Sequence, residues 1–336
     1  MRLTGSVRMV TTCVCAVCLA SAVGCGPTGG YKIIPIPADK TLEETTIIRE
    51  PGMVVVDKIA VVDVDGVIVN SERNGLFTEG ENPVSLLTEK LNRAAEDRLV
   101  KAVVLRINSP GGGVTASHLM YEEIQAFRRR TGRPVVAVML DLATSGGYYV
   151  ACACDEIVAH PTTVTGSIGV IMMTLNVSKA LEKLYIKPNI FKSGPRKDAG
   201  SPFRDMTEED RAIFQGLIDG YYQRFLGVVG ANRTKLTAER IRKLADGRVY
   251  SADEALEHGL VDRVGTIRSA IAIAKQRCGA EKVRVVIYHR PLGWAPTAYA
   301  QTSVGRPSTV NMININLPDW LEPSTPRFMY LWMPGR

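Results

Sequence analysis

Three glycine-rich turns, each placed where an apolar run ends, constrain this chain more than any other feature. They are Ser109-Pro-Gly-Gly-Gly113, Thr144-Ser-Gly-Gly147 and Thr165-Gly-Ser-Ile-Gly169. The first follows Val100-Lys-Ala-Val-Val-Leu-Arg-Ile107 and the second follows Val135 to Leu140, both of which read as buried strands. An earlier run, Lys58 to Val69, reads as the first core strand. Helical patterns fill the gaps. Leu86, Leu87, Leu91 and Ala94 recur at helical spacing within Val84 to Asp97, and a second helix is expected from the first glycine turn to Arg130, stopped by Gly132 and Pro134. A further helix is expected to open at Thr144-Ser-Gly-Gly147. This rhythm predicts an α/β domain with a mostly parallel sheet.

In such sheets ligand sites gather at the carboxyl ends of the strands, where these turns stand. Glycine lets backbone N–H groups approach a substrate with no Cβ in the way. Two such groups aimed at one point make an oxyanion hole, each donor contributing about 3–4 kcal/mol to a transition state. Ser145, at a helix start, is then the candidate nucleophile. Tight turns alone would also explain glycines, but three of them beside a serine at a helix start ask for more. A serine needs a base, and the four histidines offer little. His160 is nearest in sequence but precedes a proline and has no evident acidic partner. A lysine can substitute where burial favours its neutral amine. The loop Lys192-Ser-Gly-Pro-Arg-Lys-Asp-Ala-Gly-Ser201 supplies Lys192 and Lys197, and the residues alone do not choose between them.

The N-terminus fixes an address. Arg2 and Arg8 precede an apolar and small-residue run, Met9 to Val23, that ends in Ala22-Val23-Gly24-Cys25. This is the layout of a secretory signal, shorter than the roughly 20 residues a spanning helix needs. The small residue before Cys25 resembles a lipobox, so Cys25 is the expected lipidation site, with an uncleaved anchor as the alternative. Either places the catalytic part outside the cytoplasm, on the periplasmic side of a bacterial inner membrane. Residues 1–25 are thus read as signal and anchor, 26–57 as a flexible tether, 58–275 as the folded domain, and 276–336 as a partly disordered extension rich in Pro, Ser and Thr. Four of the seven cysteines lie in the signal; Cys152-Ala-Cys154 lacks a second pair at metal-ligand spacing and reads as buried small residues. The net charge of +7 is spread along the chain and gives no case for nucleic acid.

Asn108-Ser-Pro-Gly-Gly-Gly-Val114, Ala143-Thr-Ser-Gly-Gly-Tyr-Tyr-Val-Ala151, Thr163-Val-Thr-Gly-Ser-Ile-Gly-Val170, Phe191-Lys-Ser-Gly-Pro-Arg-Lys-Asp198, Asp246-Gly-Arg-Val-Tyr250 and Gly259-Leu-Val-Asp262 together resemble the signal peptide peptidase A family. The resemblance spans roughly Lys58 to Ala274. It implies an S49-type Ser/Lys peptidase on a ClpP/crotonase-like fold of repeated ββα units with added C-terminal helices. By this match Ser145 is the nucleophile, Lys197 the base and Ser167 its orienting partner. The amides of Gly146 and of the Gly111–Gly113 turn, Gly112 in particular, would form the oxyanion hole. Thr144 stands where an alanine is commoner. The resemblance further implies cleavage of residual signal peptides and other hydrophobic peptides without a cofactor or metal. It also implies a homo-octamer whose Ser145 and Lys197 come from neighbouring protomers.

Three other readings compete. Asp63-Val-Asp65-Gly66-Val67 fits the strand-end motif of haloacid-dehalogenase phosphatases, yet no later lysine and acidic pair completes it. A crotonase-type acyl-CoA enzyme would share the fold, but not an extracytoplasmic address. A catalytically inactive scaffold that binds hydrophobic peptides is the non-enzymatic alternative.

Overall fold

The computed structural model describes residues 41–52, 54–71, 81–291 and 328–332. The signal segment with Cys25 and half of the expected tether, 26–40 and residue 53, lie outside them.

The central sheet runs in the order β1-β11-β2-β3-β5-β6-β10. Its strands are β1 (Glu43–Arg49), β2 (Lys58–Asp65), β3 (Val100–Ser109), β5 (Val135–Thr144), β6 (Glu156–Ala159), β10 (Arg263–Val264) and β11 (Arg284–His289). All neighbours along it are parallel except the edge strand β1, which pairs antiparallel with β11. This is the mainly parallel α/β architecture expected. A short branch extends the active end. There β7 (Val164–Gly166) runs parallel to the end of β5, and β9 (Val249–Ser251) pairs antiparallel with β7.

Apolar runs without alternation make sense here because both faces of the sheet are covered. Successive residues of β2, β3 and β5 point to opposite sides. Ala60, Val62, Val103, Leu105, Val135 and Ala137 join a core with helices α1 (Pro83–Glu96) and α2 (Val114–Thr131). Ile59, Val61, Ala102, Val104, Val136 and Val138 face the other way, against α8 (Ile267–Cys278). Helix α1 starts where Asn82 accepts from the amides of Val84 and Ser85. Helix α2 ends at Gly132, left-handed with φ 66°.

The remaining helices are α3 (Gly146–Ala151), α4 (Ser178–Lys183), α5 (Glu208–Asn232), α6 (Ala238–Leu244) and α7 (Ala252–Glu257). Capping boxes form at Thr207/Asp210 and at Ser251/Glu254. The apolar stripe of α5 divides: Phe225 and Val229 are buried, whereas Ile213 and Leu217 are exposed. A second, three-stranded sheet has the order β4-β12-β8, from β4 (Gly111–Gly113), β8 (Ile171–Met172) and β12 (Phe328–Leu331).

The structure differs from the expected boundaries at both ends. Glu43–Arg49, placed in the tether, forms β1; Arg284–His289, placed in the extension, is the sheet strand between β1 and β2. An alternating or apolar hexapeptide needs only an open sheet edge to become a strand, and β2 offers one. Phe328–Leu331, also placed in the partly disordered extension, is likewise ordered as a strand between two short edges.

Candidate active site

Ser145 sits between β5 and α3. Its backbone has φ 52° and ψ −112°, and it is 1% exposed. Such a conformation costs a non-glycine residue about 1–3 kcal/mol and survives only where neighbours impose it. Two bonds do so here: the Ser145 amide donates to the Gly166 carbonyl at 2.7 Å, and its carbonyl accepts from the Tyr149 amide at 2.9 Å. Helix α3 is buried along its whole length, so it cannot relax outward.

Thr144 pairs with Gly166 in the parallel β5–β7 ladder. Ser145 and Ser167 therefore leave adjacent strand ends, and such strands lie about 4.8 Å apart. Ser167 is strained as well, at φ 50°, and its amide donates to the Arg248 carbonyl at 2.7 Å. Among the described residues only Ser145, Ser167 and Tyr185 are non-glycine residues at positive φ. Two of the three are thus serines at one strand end.

The first glycine turn closes onto the second. A methyl group on Gly146 would lie 2.4 Å from Ser117 Oγ and 3.1 Å from the Gly112 nitrogen. The amides of Gly146 and Gly112 thus border one gap. Ile68 donates to the Gly111 carbonyl and accepts from the Gly113 amide, both at 2.8 Å. By alternation the Gly112 amide faces away from Ile68. The Gly111 amide is taken up by Ser109 Oγ at 3.0 Å, and that hydroxyl in turn donates to the Gly66 carbonyl at 2.6 Å. Ser109 is thus a positioning residue that the motif reading passed over, although it stands within the quoted motif. Thr144 Oγ1, one residue before Ser145, is buried without a hydrogen-bond partner.

The two lysines left open by the sequence differ in surroundings. Lys192 Nζ donates to both Asp198 carboxylate oxygens and to the Pro195 carbonyl. Arg204 also binds Asp198, and together these cations hold that carboxyl well below the usual carboxylate range. Lys197 is exposed, and among the described residues its side chain takes part in no hydrogen bond or ion pair, Ser145 included. Within one chain the structure does not bring Lys197 to Ser145. His160 bonds Thr162 in its own turn.

The other motifs are structural. Asp63 accepts from Arg106 at 2.6 Å, with the buried Lys90 ammonium 3.9 Å away. Burial pushes the Lys90 pKa down. An aspartate engaged by two cations does not fit the phosphatase reading, and among the described residues no three His, Cys, Asp or Glu gather as a metal site. Cys152 and Cys154 are free and buried, the Cys152 thiol pushed up to about 11 by burial.

A strained serine at the head of a buried helix, beside convergent glycine amides on a mainly parallel α/β sheet, has the layout of a serine-type hydrolase. Comparison with known proteins narrows the class. The model of peptidase family S49 matches residues 127–281. A candidate signal peptide peptidase SppA of Enterococcus faecium is 37% identical over 232 residues, 69% of this chain and 67% of the relative. A candidate protease of Synechocystis is 36% identical over 228 residues, 68% and 77% of the two chains. Protease 4 of Haemophilus influenzae is 33% identical over 220 residues, 66% of this chain but 35% of the longer relative. The chain belongs to peptidase family S49 and is a serine-type peptidase.

Proposed function

We propose that the chain is a membrane-anchored, extracytoplasmic endopeptidase that cuts hydrophobic peptides, residual signal peptides among them, with a Ser145/Lys197 dyad shared between protomers. The observation that carries this reading is the pair of paired strand ends presenting Ser145 and Ser167 side by side, each in a strained conformation. Lys197 of a neighbouring protomer takes the Ser145 proton, and Ser167 orients the amine. Ser145 Oγ attacks the scissile carbonyl, and the oxyanion is met by the amides of Gly146 and Gly112. The protonated lysine then serves the leaving amine, and water releases the acyl group.

Assembly is supported by the arm between β8 and α5. Helix α4 there has no buried residue, and Tyr185 and Phe191 are 95% and 96% exposed. Ile171, Met173, Leu175, Leu184, Ile186 and Ile190 extend the exposed apolar surface. An apolar patch of this kind on a soluble face marks an interface. Among the described residues no helix is long and apolar enough to cross a membrane. Anchoring through lipidated Cys25 therefore rests on the sequence of the first 25 residues. The homo-octameric assembly size is carried by family resemblance.

An active-site-directed fluorophosphonate tests the nucleophile. Labelling of the assembled wild-type chain, lost in Ser145→Ala, is the expected result. Equal labelling of Ser145→Ala, or no labelling of wild type that hydrolyses an apolar peptide, rejects the assignment. A folded assembly that binds such peptides but neither labels nor cuts them would instead be the inactive scaffold.

A further inference from the structure

Helices α1 and α2 end beside one another at the amino ends of the strands that follow them. Helix α1 stops at Glu96 before β3 begins at Val100, and α2 stops at Thr131 before β5 begins at Val135. Ser145 stands at the other end of β5, ten residues on. At roughly 3.3 Å of rise per residue, the two helix ends lie about 30 Å from the serine turn. A cavity of about 490 Å³ opens there, lined among others by Asn92, Glu96, Arg98, Arg130 and Arg133.

The three guanidiniums are held by neutral groups and not by carboxylates. Arg133 Nη1 donates to the Ala94 carbonyl at 2.6 Å and to the Asp97 carbonyl at 3.0 Å. Arg130 Nη2 donates to Asn92 Oδ1 of the other helix at 2.8 Å. The exposed Arg98 side chain makes no hydrogen bond or ion pair among the described residues. A guanidinium carries five N–H donors, so most of these remain unspent. The acidic side chains nearby are engaged elsewhere: Asp97 by Lys58 at 2.7 Å, Asp57 by Lys101 at 3.7 Å and Asp155 by Arg128. Glu96, exposed, is the one carboxylate on the lining, which leaves three positive charges against one negative. Cations at helix carboxyl ends also balance the helix dipole. That accounts for Arg133, which covers the last carbonyls of α1. It does not account for Arg130 being tied across to Asn92, nor for three guanidiniums around one cavity.

We propose that this cavity is a binding site for a phosphate group, free or esterified, gripped by Arg98, Arg130 and Arg133. Planar guanidinium forks match the oxygen pairs of phosphate, and the bonds they make to it are charge-assisted. A lone carboxylate would be satisfied by one fork. Three forks suit a tetrahedral anion that presents oxygens in several directions, and the cavity has room for a group esterified to it. A lipid headgroup and a soluble phosphate compound share this chemistry. The site is separate from the serine turn and does not depend on the reading of Ser145 as nucleophile.

Isothermal titration of the purified full chain in a neutral detergent tests this, with three probes: inorganic phosphate, short-chain phosphatidylglycerol and short-chain phosphatidylcholine. Saturable binding of phosphate or of phosphatidylglycerol is expected, weakening as salt is raised because the contact is between charges at a surface. The tighter of the two identifies the source, a soluble compound or a headgroup. Phosphatidylcholine, whose own cation opposes the arginines, should bind at least 10-fold more weakly than phosphatidylglycerol if the headgroup is the source. The double variant Arg98→Gln/Arg130→Gln should weaken the binding at least 10-fold. Both positions are exposed, so its Tm and its peptide hydrolysis should match wild type, which separates loss of the site from loss of the fold. No binding of either anionic probe overturns the proposal. So does binding that the double variant retains in full, or a phosphatidylglycerol signal that phosphatidylcholine equals while inorganic phosphate gives none.

Discussion

The serine turn and the lysine arm are built in opposite ways. Around Ser145 helix α3 is buried at every residue, the backbone is strained, and its amide and carbonyl are both taken by fixed partners. Around Lys197 the chain is a series of turns with exposed apolar side chains and no buried helix. One region is complete within the chain; the other has the apolar surface of an unfinished contact. A strained nucleophile needs an interior to impose its geometry; under the proposed shared dyad, the base would come from a surface that becomes interior only on assembly.

The largest expected effect comes from separating the two regions. Ser145→Ala and Lys197→Ala chains should each lose about 10⁴-fold or more in peptide hydrolysis, in line with loss of a nucleophile or its base. Co-assembled, the two inactive chains should regain partial activity, because some interfaces pair an intact Ser145 with an intact Lys197. No recovery in mixed assemblies would break the comparison, placing both groups in one chain.

On the serine side, Gly146→Ala drives a methyl group to 2.4 Å from Ser117 Oγ and beside the Gly112 nitrogen. A fall in kcat of about 10²–10³-fold is expected, the cost of a displaced oxyanion donor. Gly216→Ala on α5 meets nothing within 4 Å and serves as control. It should stabilise by about 0.5–1 kcal/mol and leave kcat unchanged. On the arm side, Phe191→Asp should weaken assembly by about 30-fold or more in concentration, the mark of a 2 kcal/mol interface residue, with the protomer's Tm unchanged. Light scattering against dilution measures it.

A smaller effect should appear with acid. Arg204 lies between Asp198 and Asp210, and its hydrogen bonds lower the pKa of both carboxyls. Groups with depressed folded-state pKa values stabilise above their unfolded value and lose that contribution as pH falls toward the folded one. Hydrogen exchange in residues 192–210 should therefore quicken below about pH 4, before the Ser145 turn does. Equal protection of the two regions through that range would remove the distinction. The smallest effect is expected at Thr144, whose buried hydroxyl has no partner. Such a group costs about 1–3 kcal/mol, so Thr144→Ala should hold Tm within a few degrees despite the lost methyl contacts.

Local pattern was enough to read three central strands, the helices beside them and Ser145 as a candidate. Apolar runs such as Val100–Ile107 can only be buried strands, and the glycines that follow them stand at strand ends because nothing larger fits there. Gly112 is an instance, where a methyl group would lie 2.0 Å from the Ile68 carbonyl oxygen. The capping boxes at Thr207 and Ser251 are local too, each closed by residues three apart. The tertiary structure decided what depends on distant partners. It made strands of Glu43–Arg49 and Arg284–His289, because each supplies the other with an edge across more than 200 residues. It also distinguished Lys192 from Lys197 by the ion pair only one of them makes. It split the α5 stripe into a buried and an exposed half, although periodicity treats both alike. And it laid Phe328–Leu331 between β4 and β8, a placement no local pattern encodes, since a strand between two edges is defined by those edges.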